Sequence, residues 1–426
     1  MKNSGIEWIG EIPDSWELQP LRGHLIEVKE SNDPIQTTQV LSLTNKLGVI
    51  PYEEKGEQGN KSKENYNEYK LAYPNTIVAN SMNILIGSVG ICNYFGCVSP
   101  VYYVFKPKDE QELKFLDYIF QSQPFQKELR KYAKGILEIR LRVSANDILR
   151  RQVAFPSSQQ QKKIVDFLEA KLNQVDELIA NQQGQIEKLK EYKQSVITEA
   201  VTKGLDKSAP LKDSGIEWIG EIPASWRYLK SAYVYNKIGD IDHCMPASVN
   251  DGYPYVMTGD LHGFASEINF EACKKVSKID YEQLSRKISP NRGDIIFARY
   301  ATIGTVCYVD IDKDFLASYS CVTIKPKTDR VNGKYLWRYY QSLVFLEEVK
   351  KLVNSNTQAN VGIDSLYRAN LVIPPLPEQQ QIVDYLDEKC GKIDRIIAIK
   401  QEKIEKLQEY KKSLIYEYVT GKKEVV

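Results

Sequence analysis

The sequence has few of the side chains on which catalytic, metal-binding and disulfide-bonded proteins depend. It has 3 histidines and 7 cysteines among 426 residues, and no two cysteines form a CxxC pair. An odd number of such cysteines is typical of reduced thiols in a cytosolic protein. The short cluster Asp240, Asp242, His243 and Cys244 has no distant partners at zinc-site spacing, so we interpret it as a polar loop without metal.

Signals of several other protein classes are also missing. No apolar run approaches the roughly 20 residues that span a bilayer, and residues 1–16 contain no continuous apolar stretch of a secretory signal. We find no P-loop, no GxGxxG motif after a strand, and no Asn/Asp-Pro-Pro-aromatic tetrapeptide of the amino-methyltransferase kind. These absences predict a cytoplasmic protein that binds no cofactor and has no catalytic residues of its own.

What the chain does contain is an internal repeat. Residues 4–16 read SGIEWIGEIPDSW and residues 214–226 read SGIEWIGEIPASW, with one change between them. A second pair of matching segments, IEKLKEYKQSVI at 186–197 and IEKLQEYKKSLI at 404–415, lies near the end of each half. The segments between these matching ends differ. Matching ends around different middles predict one scaffold that holds two different recognition surfaces.

Two long helices are predicted from apolar residues that recur at steps of three and four. The apolar seam runs through residues 158–202 and again through 377–421, and each seam contains polar residues at equivalent places, Gln182 and Lys193 in the first and Lys400 and Lys411 in the second. Each helix is expected to be about 60 Å long. Pairing of the two helices is the simplest way to bury both seams, although each could instead dock on its own globular domain.

The remaining segments predict two mixed α/β domains. Short β-like runs such as TIVAN, DIIFA and CVTIK alternate with turns rich in Gly, Pro, Asn and Asp. The expected domains are residues 1–157 and 214–376, and a linker at 203–213 contains Gly204 and Pro210. The predicted fold class is therefore α+β, with two mixed domains joined by two long helices packed as an antiparallel coiled coil in a pseudo-twofold internal repeat.

Positive charge is concentrated within each half although the net charge is only +1. Between Lys127 and Arg151 eight basic residues stand against three acidic ones, and between Lys274 and Arg299 seven stand against three. A solvated helix face would explain either stretch alone. Two such stretches within the divergent segments, in a chain with 27 tyrosines, favour contact with nucleic acid as strongly as the simpler explanation.

Together these motifs resemble the specificity subunit of type I restriction-modification enzymes. The resemblance covers essentially the whole chain. It is carried by the SGIEWIGEIP opening of each half, by IPPLPEQQQIVDYL at the start of the second helix, and by IEKLKEYKQS and IEKLQEYKKS within the helices. The segments YPNTIVANSMNILIGSVG and RGDIIFARYATIGTV resemble parts of target recognition domains. The first helix departs from the pattern because it starts with FPSSQQQKKIV.

The resemblance implies a DNA-binding subunit that performs no chemistry itself. Each target recognition domain is expected to read one half of a split, asymmetric site in double-stranded DNA, with the two helices as spacer and docking platform. The implied partners are two modification subunits that methylate adenine, and restriction subunits that combine translocase and nuclease activity. Neither the target sequence nor the spacer length follows from the chain.

Candidate DNA contacts were chosen by loop position and side-chain chemistry. Arginine pairs well with guanine, and asparagine or glutamine pairs with adenine. In the first half the candidates are Asn45, Lys46, Asn80, Asn83, Arg140 and Arg142, and in the second half they are Asp260, His262, Arg299, Tyr300, Asn356 and Gln358.

The sequence leaves three other functions open. A tandem-repeat transcription regulator in a single chain would bind its site tightly without methyltransferase subunits. A coiled-coil adaptor without DNA contact would show no salt-dependent DNA binding in its assembled complex. A self-contained nuclease would cut DNA with Mg²⁺ as a purified chain, and it is the alternative that the sequence favours least.

Overall fold

The computed structural model describes residues 1–44, 48–55, 65–108, 112–135, 141–354 and 359–425. These residues form two compact units. The first unit contains Met1–Gln183 together with Gln401–Val426, and the second contains Gly184–Lys400. The division therefore falls inside the two long helices and not at the expected linker 203–213, which lies within the second unit.

The helices include two that are far longer than the rest. In chain order they are α1 (Leu113–Gln121), α2 (Gln123–Arg130), α3 (Ala145–Leu149), α4 (Ser158–Lys203), α5 (Lys278–Ser285), α6 (Gly333–Tyr340), α7 (Leu343–Leu352), α8 (Ile363–Arg368) and α9 (Leu376–Val419). The predicted long helices at 158–202 and 377–421 correspond to α4 and α9. Within the described ranges, no helix combines the length and the apolar character needed to cross a membrane.

The strands are short and belong to several small sheets. The first unit contains β1 (Lys2–Asn3), β2 (Glu11–Ile12), β3 (Glu17–Pro20), β4 (Leu25–Val28), β5 (Leu41–Thr44), β6 (Gly48–Pro51), β7 (Lys70–Ala72), β8 (Thr76–Asn80), β9 (Val89–Cys92), β10 (Gly96–Val98), β11 (Tyr102–Pro107) and β12 (Gln152–Phe155). The second unit contains β13 (Leu211–Asp213), β14 (Glu221–Pro223), β15 (Arg227–Lys230), β16 (Tyr235–Gly239), β17 (Tyr253–Val256), β18 (Lys274–Val276), β19 (Ile295–Ala298), β20 (Val306–Tyr308), β21 (Leu316–Ala317), β22 (Cys321–Pro326), β23 (Val353–Asn354), β24 (Asn360–Val361) and β25 (Asn370–Ile373).

Each unit is built around a four-stranded antiparallel sheet. The strand order is β4-β11-β8-β9 in the first unit and β16-β22-β19-β20 in the second. The middle strands β8 and β19 are buried along their whole length, which suits their run of β-branched and other apolar residues. Beside this sheet, β3 pairs with β12 in the first unit and β15 pairs with β25 in the second. The predicted α+β class and internal repeat are confirmed.

The long helices pack antiparallel within each unit, as predicted. In the first unit the rings of Phe167 and Tyr418 lie 4.6 Å apart, and Lys411 reaches Asp176 at 2.5 Å. In the second unit Lys193 contacts Asp394 at 2.7 Å. Lys193 and Lys411 are polar residues of the predicted apolar seams, and each forms a cross-helix ion pair at the corresponding place. Polar residues at seam positions select the register of a helix pair, at some cost in stability.

The repeated SGIEWIGEIP motif and the tryptophan that follows it pack against the end of a long helix in each unit. In the first unit Trp8 and Trp16 share a buried cluster with Leu414 and Val419 near the end of α9. In the second unit Ile219, Ile222 and Trp226 share a buried cluster with Val196 and Val201 near the end of α4. The near-identity of the two motifs therefore has a packing reason.

Candidate nucleic-acid interface

In the first unit two segments lie side by side beyond the end of β8. One is the loop 81–88 that joins β8 to β9. The other is the segment 134–142, whose ends are joined by backbone hydrogen bonds between Lys134 and Arg142 of 2.8 and 2.9 Å. The Val143 amide donates to the Ser81 carbonyl at 3.3 Å and holds the two together. We call the described residues 81–88, 134, 135, 141 and 142 the first loop face.

The second unit contains the same arrangement. The loop 299–305 joins β19 to β20, and the hairpin 353–361 contains the pair β23 and β24. The Val361 amide donates to the Arg299 carbonyl at 3.2 Å, and Tyr300 forms an isolated bridge with Asn360. We call the described residues 299–305, 353, 354 and 359–361 the second loop face. Both units therefore present a strand-end loop beside a segment whose ends are paired.

The two loop faces begin at corresponding residues. Asn80 pairs with Tyr102 across the first sheet, and Ala298 pairs with Cys321 at the matching place in the second. Ser81 and Arg299, the next residues along the chain, are therefore equivalent. Their carbonyl oxygens accept the equivalent hydrogen bonds from the hairpin segments. The backbone of this surface is thus repeated, although its side chains differ.

A third segment lies next to the strand that follows each loop. In the first unit β6 packs against β9, so closely that a side chain at Gly90 would meet the Cα of Gly48 at 3.1 Å. In the second unit the Tyr308 amide of β20 donates to the Gly263 carbonyl at 2.9 Å. Gly48 of β6 and the segment 257–264, which carries the candidates Asp260 and His262, therefore lie beside corresponding strands, β9 and β20.

Five of the twelve candidate contacts lie outside the described residues. They are Asn45, Lys46, Arg140, Asn356 and Gln358. For these five residues the expectation from the sequence stays a prediction.

Two of the remaining candidates stabilise turns. Asn80 is buried, and its Oδ1 accepts hydrogen bonds from the amides of Met82 at 3.0 Å and Asn83 at 3.4 Å. The Oδ2 of Asp260 accepts a hydrogen bond of 2.8 Å from the Met257 amide. Asparagine and aspartate commonly support turns in this way. We leave both residues out of the proposed interface.

Four candidates remain available to a ligand. Asn83, Arg142 and His262 are exposed, and Tyr300 is half-buried. Asn83 and Arg142 both belong to the first loop face, and Tyr300 belongs to the second. An exposed asparagine and arginine on adjacent segments offer the hydrogen-bond groups that read adenine and guanine edges.

Arg299 is placed differently from the expectation. Its guanidinium is 6% exposed and forms an ion pair with the 7% exposed carboxylate of Asp240, with Nη2 2.7 Å from Oδ2. A guanidinium enclosed in this way does not reach a base edge. The expected contact of Arg299 with guanine is therefore at odds with the structure, and the physical reason is a buried acid 59 positions earlier in the chain.

Asp240 is the residue whose contacts the sequence analysis did not predict. Besides Arg299, its carboxylate contacts His243 at 2.9 Å and Lys287 at 3.3 Å. Burial alone would raise the pKa of Asp240, but the hydrogen bond from His243 and the charges of Arg299 and Lys287 hold it below its ordinary value. Asp240 and His243 were interpreted as part of a polar loop. The ion pairs of Asp240 depend on Arg299 and Lys287, which are distant in the sequence.

The two basic stretches also differ from what their charge counts suggested. In the second stretch Lys275 pairs with Glu271 at 2.7 Å, Arg292 pairs with Asp312 at 2.8 Å, and Lys287 and Arg299 share Asp240. In the first stretch Arg142 and Lys134 are exposed on the first loop face. Neighbouring acids thus neutralise much of the second stretch, whereas the first loop face keeps positive charge toward solvent.

An exposed apolar side chain accompanies that charge. Ile86, in the loop 81–88, is 67% exposed. Apolar side chains on a DNA-binding surface can contact the methyl group of thymine. The sequence signal was the apolar run NILIG next to a turn, which we did not interpret as part of a binding surface.

Comparison with known proteins agrees with this architecture. The family model of the type I restriction modification DNA specificity domain matches residues 23–190 and 246–409. The type I restriction enzyme MjaVIII specificity subunit of Methanocaldococcus jannaschii is 25% identical over 325 residues, which are 74% of this chain and 72% of that subunit.

Two solved structures share the fold. A chain from a structure of a type I R-M system, solved to explain complex assembly and conformational transition, superposes with a TM-score of 0.68 at 15% identity, covering 96% of this chain and 98% of that one. The HsdS subunit from Thermoanaerobacter tengcongensis gives a TM-score of 0.50 at 14% identity, covering 99% of this chain and 100% of that one.

The two matches to the DNA specificity domain and the similarity to specificity subunits identify a protein that recognises DNA by sequence and has no catalysis of its own. The chain belongs to the family of type I restriction-modification DNA specificity domains, because the family model matches twice and covers more than half of its length.

Proposed function

We propose that the chain reads a bipartite, asymmetric site in double-stranded DNA, with one half-site for each unit. The observation that carries this proposal is the repeated backbone of the loop faces. Ser81 and Arg299 accept equivalent hydrogen bonds from Val143 and Val361, yet the exposed side chains around them differ. Two surfaces with the same geometry and different chemistry suit two different base sequences.

The proposed contacts in the first half-site are Asn83 and Arg142, and Ile86 joins them as an apolar contact. In the second half-site they are Tyr300 and His262. Asn45, Lys46, Arg140, Asn356 and Gln358 stay candidates from their sequence position. Arginine or lysine contacts to phosphates would add affinity without sequence preference, since phosphate contacts are the same at every base pair.

The proposed partners are two modification subunits that methylate adenine, with restriction subunits joining the same assembly in the cytoplasm. The long helices are the proposed spacer and docking platform. α4 contains 46 residues, and a helix of that size is about 69 Å long at 1.5 Å per residue. Its exposed faces remain available to a partner after the apolar seam is buried against α9.

The test is a map of adenine methylation. The chain and the modification subunits encoded with it are expressed in a host without adenine methylation, and single-molecule sequencing identifies every modified adenine. We expect one motif with two dissimilar halves separated by a fixed number of unspecified base pairs. A continuous palindrome would contradict the bipartite proposal. Modification subunits expressed without the chain are the control, and they should leave no motif.

A further inference from the structure

The Arg299–Asp240 ion pair joins three segments around the second loop face. Arg299 follows β19, and Asp240 follows β16. The guanidinium also donates from Nη2 to the Tyr319 carbonyl at 3.2 Å and from Nη1 to the Val361 carbonyl at 3.5 Å. One side chain therefore contacts the end of β16, the turn before β22 and the hairpin of the second loop face.

The same side chain borders the half-buried Tyr300, the next residue in the loop. The guanidinium carbon of Arg299 lies 5.3 Å from the centre of the Tyr300 ring, within the range of a cation–π contact. The Arg299 backbone accepts the Val361 amide, while its side chain donates to the Val361 carbonyl. Loop and hairpin are thus held together both by the backbone and by the side chain of one residue.

The first unit forms the equivalent surface without this ion pair. Ser81 is the counterpart of Arg299. Lys29, which follows the strand β4, is the counterpart of Asp240, and it is exposed and pairs with Glu27 at 3.3 Å. The backbone of the loop face therefore needs no buried charge. A buried ion pair is also no general source of stability, because well-packed apolar residues of similar volume often do as well.

We propose that Arg299 is a positioning residue for recognition of the second half-site. It fixes the loop 299–305 against Asn360 and Val361, so that the side chains of this loop meet the DNA in one geometry. Asp240 holds the guanidinium in place. This inference rests on the proposed function, since it assumes that the second unit reads a half-site. It assigns to Arg299 no contact with a base.

The experiment measures sequence discrimination in the assembled methyltransferase. Methylation rates are compared between the cognate duplex and duplexes with a single substitution at each base pair of both half-sites. Arg299→Met removes the charge at nearly constant length. Arg299→Lys keeps the charge, but the single ammonium group of lysine cannot contact Asp240, Tyr319 and Val361 at the same time. Thermal unfolding of each variant reports stability.

A second ion pair, at the opposite ends of β19 and β22 from the loop face, provides a matched control. Lys325 of β22 pairs with Asp294, next to β19, at 2.5 Å, and the pair is largely buried. Lys325→Met removes a comparable ion pair from the same sheet, far along the strands from the loop face. It is expected to lower the unfolding temperature while leaving discrimination at both half-sites unchanged.

For Arg299→Met we expect discrimination to fall by between about tenfold and about a hundredfold at several base pairs of the second half-site, as small displacements of positioned groups can do. The first half-site should keep its full discrimination. Arg299→Lys should give a smaller loss of the same pattern. If Arg299→Met fails to fold, the lysine variant decides the question.

Three outcomes would overturn the inference. Discrimination could remain unchanged at the second half-site, or it could fall equally at both half-sites, as general destabilisation would cause. It could also fall at a single base pair only, which would indicate a direct contact of Arg299 with one base. A wild-type complex that shows no bipartite motif contradicts the proposed function itself, and that result is seen before any variant is made.

Discussion

The two units support corresponding loops with different side chains. In the first unit the buried Oδ1 of Asn80 accepts from the amides of the turn that follows β8. In the second unit the guanidinium of Arg299 and the carboxylate of Asp240 support the turn that follows β19. The backbone hydrogen bonds from Val143 and Val361 are the same in both. The comparison indicates that backbone pairing sets the position of the loops, while side chains tune how firmly each is held.

The contact between each unit's sheet-covering helix and its long helix shows a similar difference. In the second unit Lys334 and Arg338 of α6 both bind Asp387 of α9 at 2.9 Å. The pairs Gln121-Ser122 and Gln341-Ser342 align the ends of α1 and α6. Three residues before the glutamine, the first unit has Tyr118 and the second has Arg338. The second unit thus has an ionic contact between these helices at a place where the first unit carries a tyrosine. Each unit thus tolerates varied chemistry on a constant backbone.

The strongest test of this comparison exchanges one whole recognition domain for the other. The Leu21 amide donates to the Arg151 carbonyl at 2.9 Å, and the Ser231 amide donates to the Ala369 carbonyl at 2.8 Å. Segments 21–151 and 231–369 therefore begin and end at equivalent hydrogen bonds. Replacing 231–369 by a second copy of 21–151 should turn the second half-site into a copy of the first, as methylation mapping would show.

The reverse replacement is the matched control. A chain with 231–369 in both places should mark a site composed of two copies of the second half-site. If either chimera folds and assembles but retains both original half-sites, the loop faces are not independent readers. A motif in which both halves become new would contradict the comparison equally.

An effect of intermediate size is expected for single residues of the first loop face. Asn83→Ala should relax one base pair of the first half-site by about 1 to 3 kcal/mol and leave the second half-site unchanged. Arg142→Ala should do the same if it reads guanine, or weaken binding uniformly and lower its salt dependence if it binds phosphate. Equilibrium binding at several salt concentrations separates these two results.

Asn93→Ala provides the control for both variants. Asn93 is exposed and follows β9, at the opposite end of that strand from the loop 81–88. Its removal should leave affinity and discrimination unchanged. An effect of Asn93→Ala as large as that of Asn83→Ala would place the interface elsewhere on the sheet.

The smallest expected effect concerns stability. Burial raises the pKa of Asp117 to about 6, against the opposing charge of Lys114 at 3.8 Å. The folded state thus favours the protonated carboxyl group, and the free energy of unfolding should fall as the pH rises through about 6. Trp337 occupies the corresponding place in the second unit, so this dependence belongs to the first unit.

Replacing the acid by its neutral analogue should remove that dependence. Asp117→Asn is expected to raise the free energy of unfolding at pH 8 by roughly 1 to 3 kcal/mol and to have little effect near pH 4. Urea unfolding at both pH values measures the difference. Asp166→Asn, at an exposed acid of α4, is the control and should change neither value. A gain that is equal at pH 4 and pH 8 would argue against a titrating Asp117.

The sequence predicted the features that depend on local pattern. The apolar seams gave α4 and α9 because their period is maintained over about 40 residues, and runs such as TIVAN and CVTIK are buried strands. The burial of Arg299 could not be predicted, since it depends on Asp240, which only the folded sheet brings near. The exposed Ile86 gave a local signal, but its meaning depended on the neighbouring Arg142.

The local sequence pattern also could not predict where the chain divides into two units. Periodicity shows that a helix has an apolar face, but it does not show which residues cover that face. The expected linker 203–213 is rich in turn residues, yet it belongs to the second unit, where Lys203 donates to the Glu221 carbonyl. The assignment of 203–213 as the linker between the two domains therefore stays a prediction.

The first unit is assembled from two separate segments of the chain, and this has a consequence for its biosynthesis. The second unit is one continuous stretch, whereas the first needs Gln401–Val426, which leave the ribosome after the whole of the second unit. Within that tail Tyr416 donates to the Trp8 carbonyl at 3.2 Å and Lys422 donates to the Glu11 carbonyl at 2.7 Å. The earlier segment of the first unit must wait for a segment that is synthesised after the second unit. The newborn polypeptide can therefore complete its later domain before its earlier one.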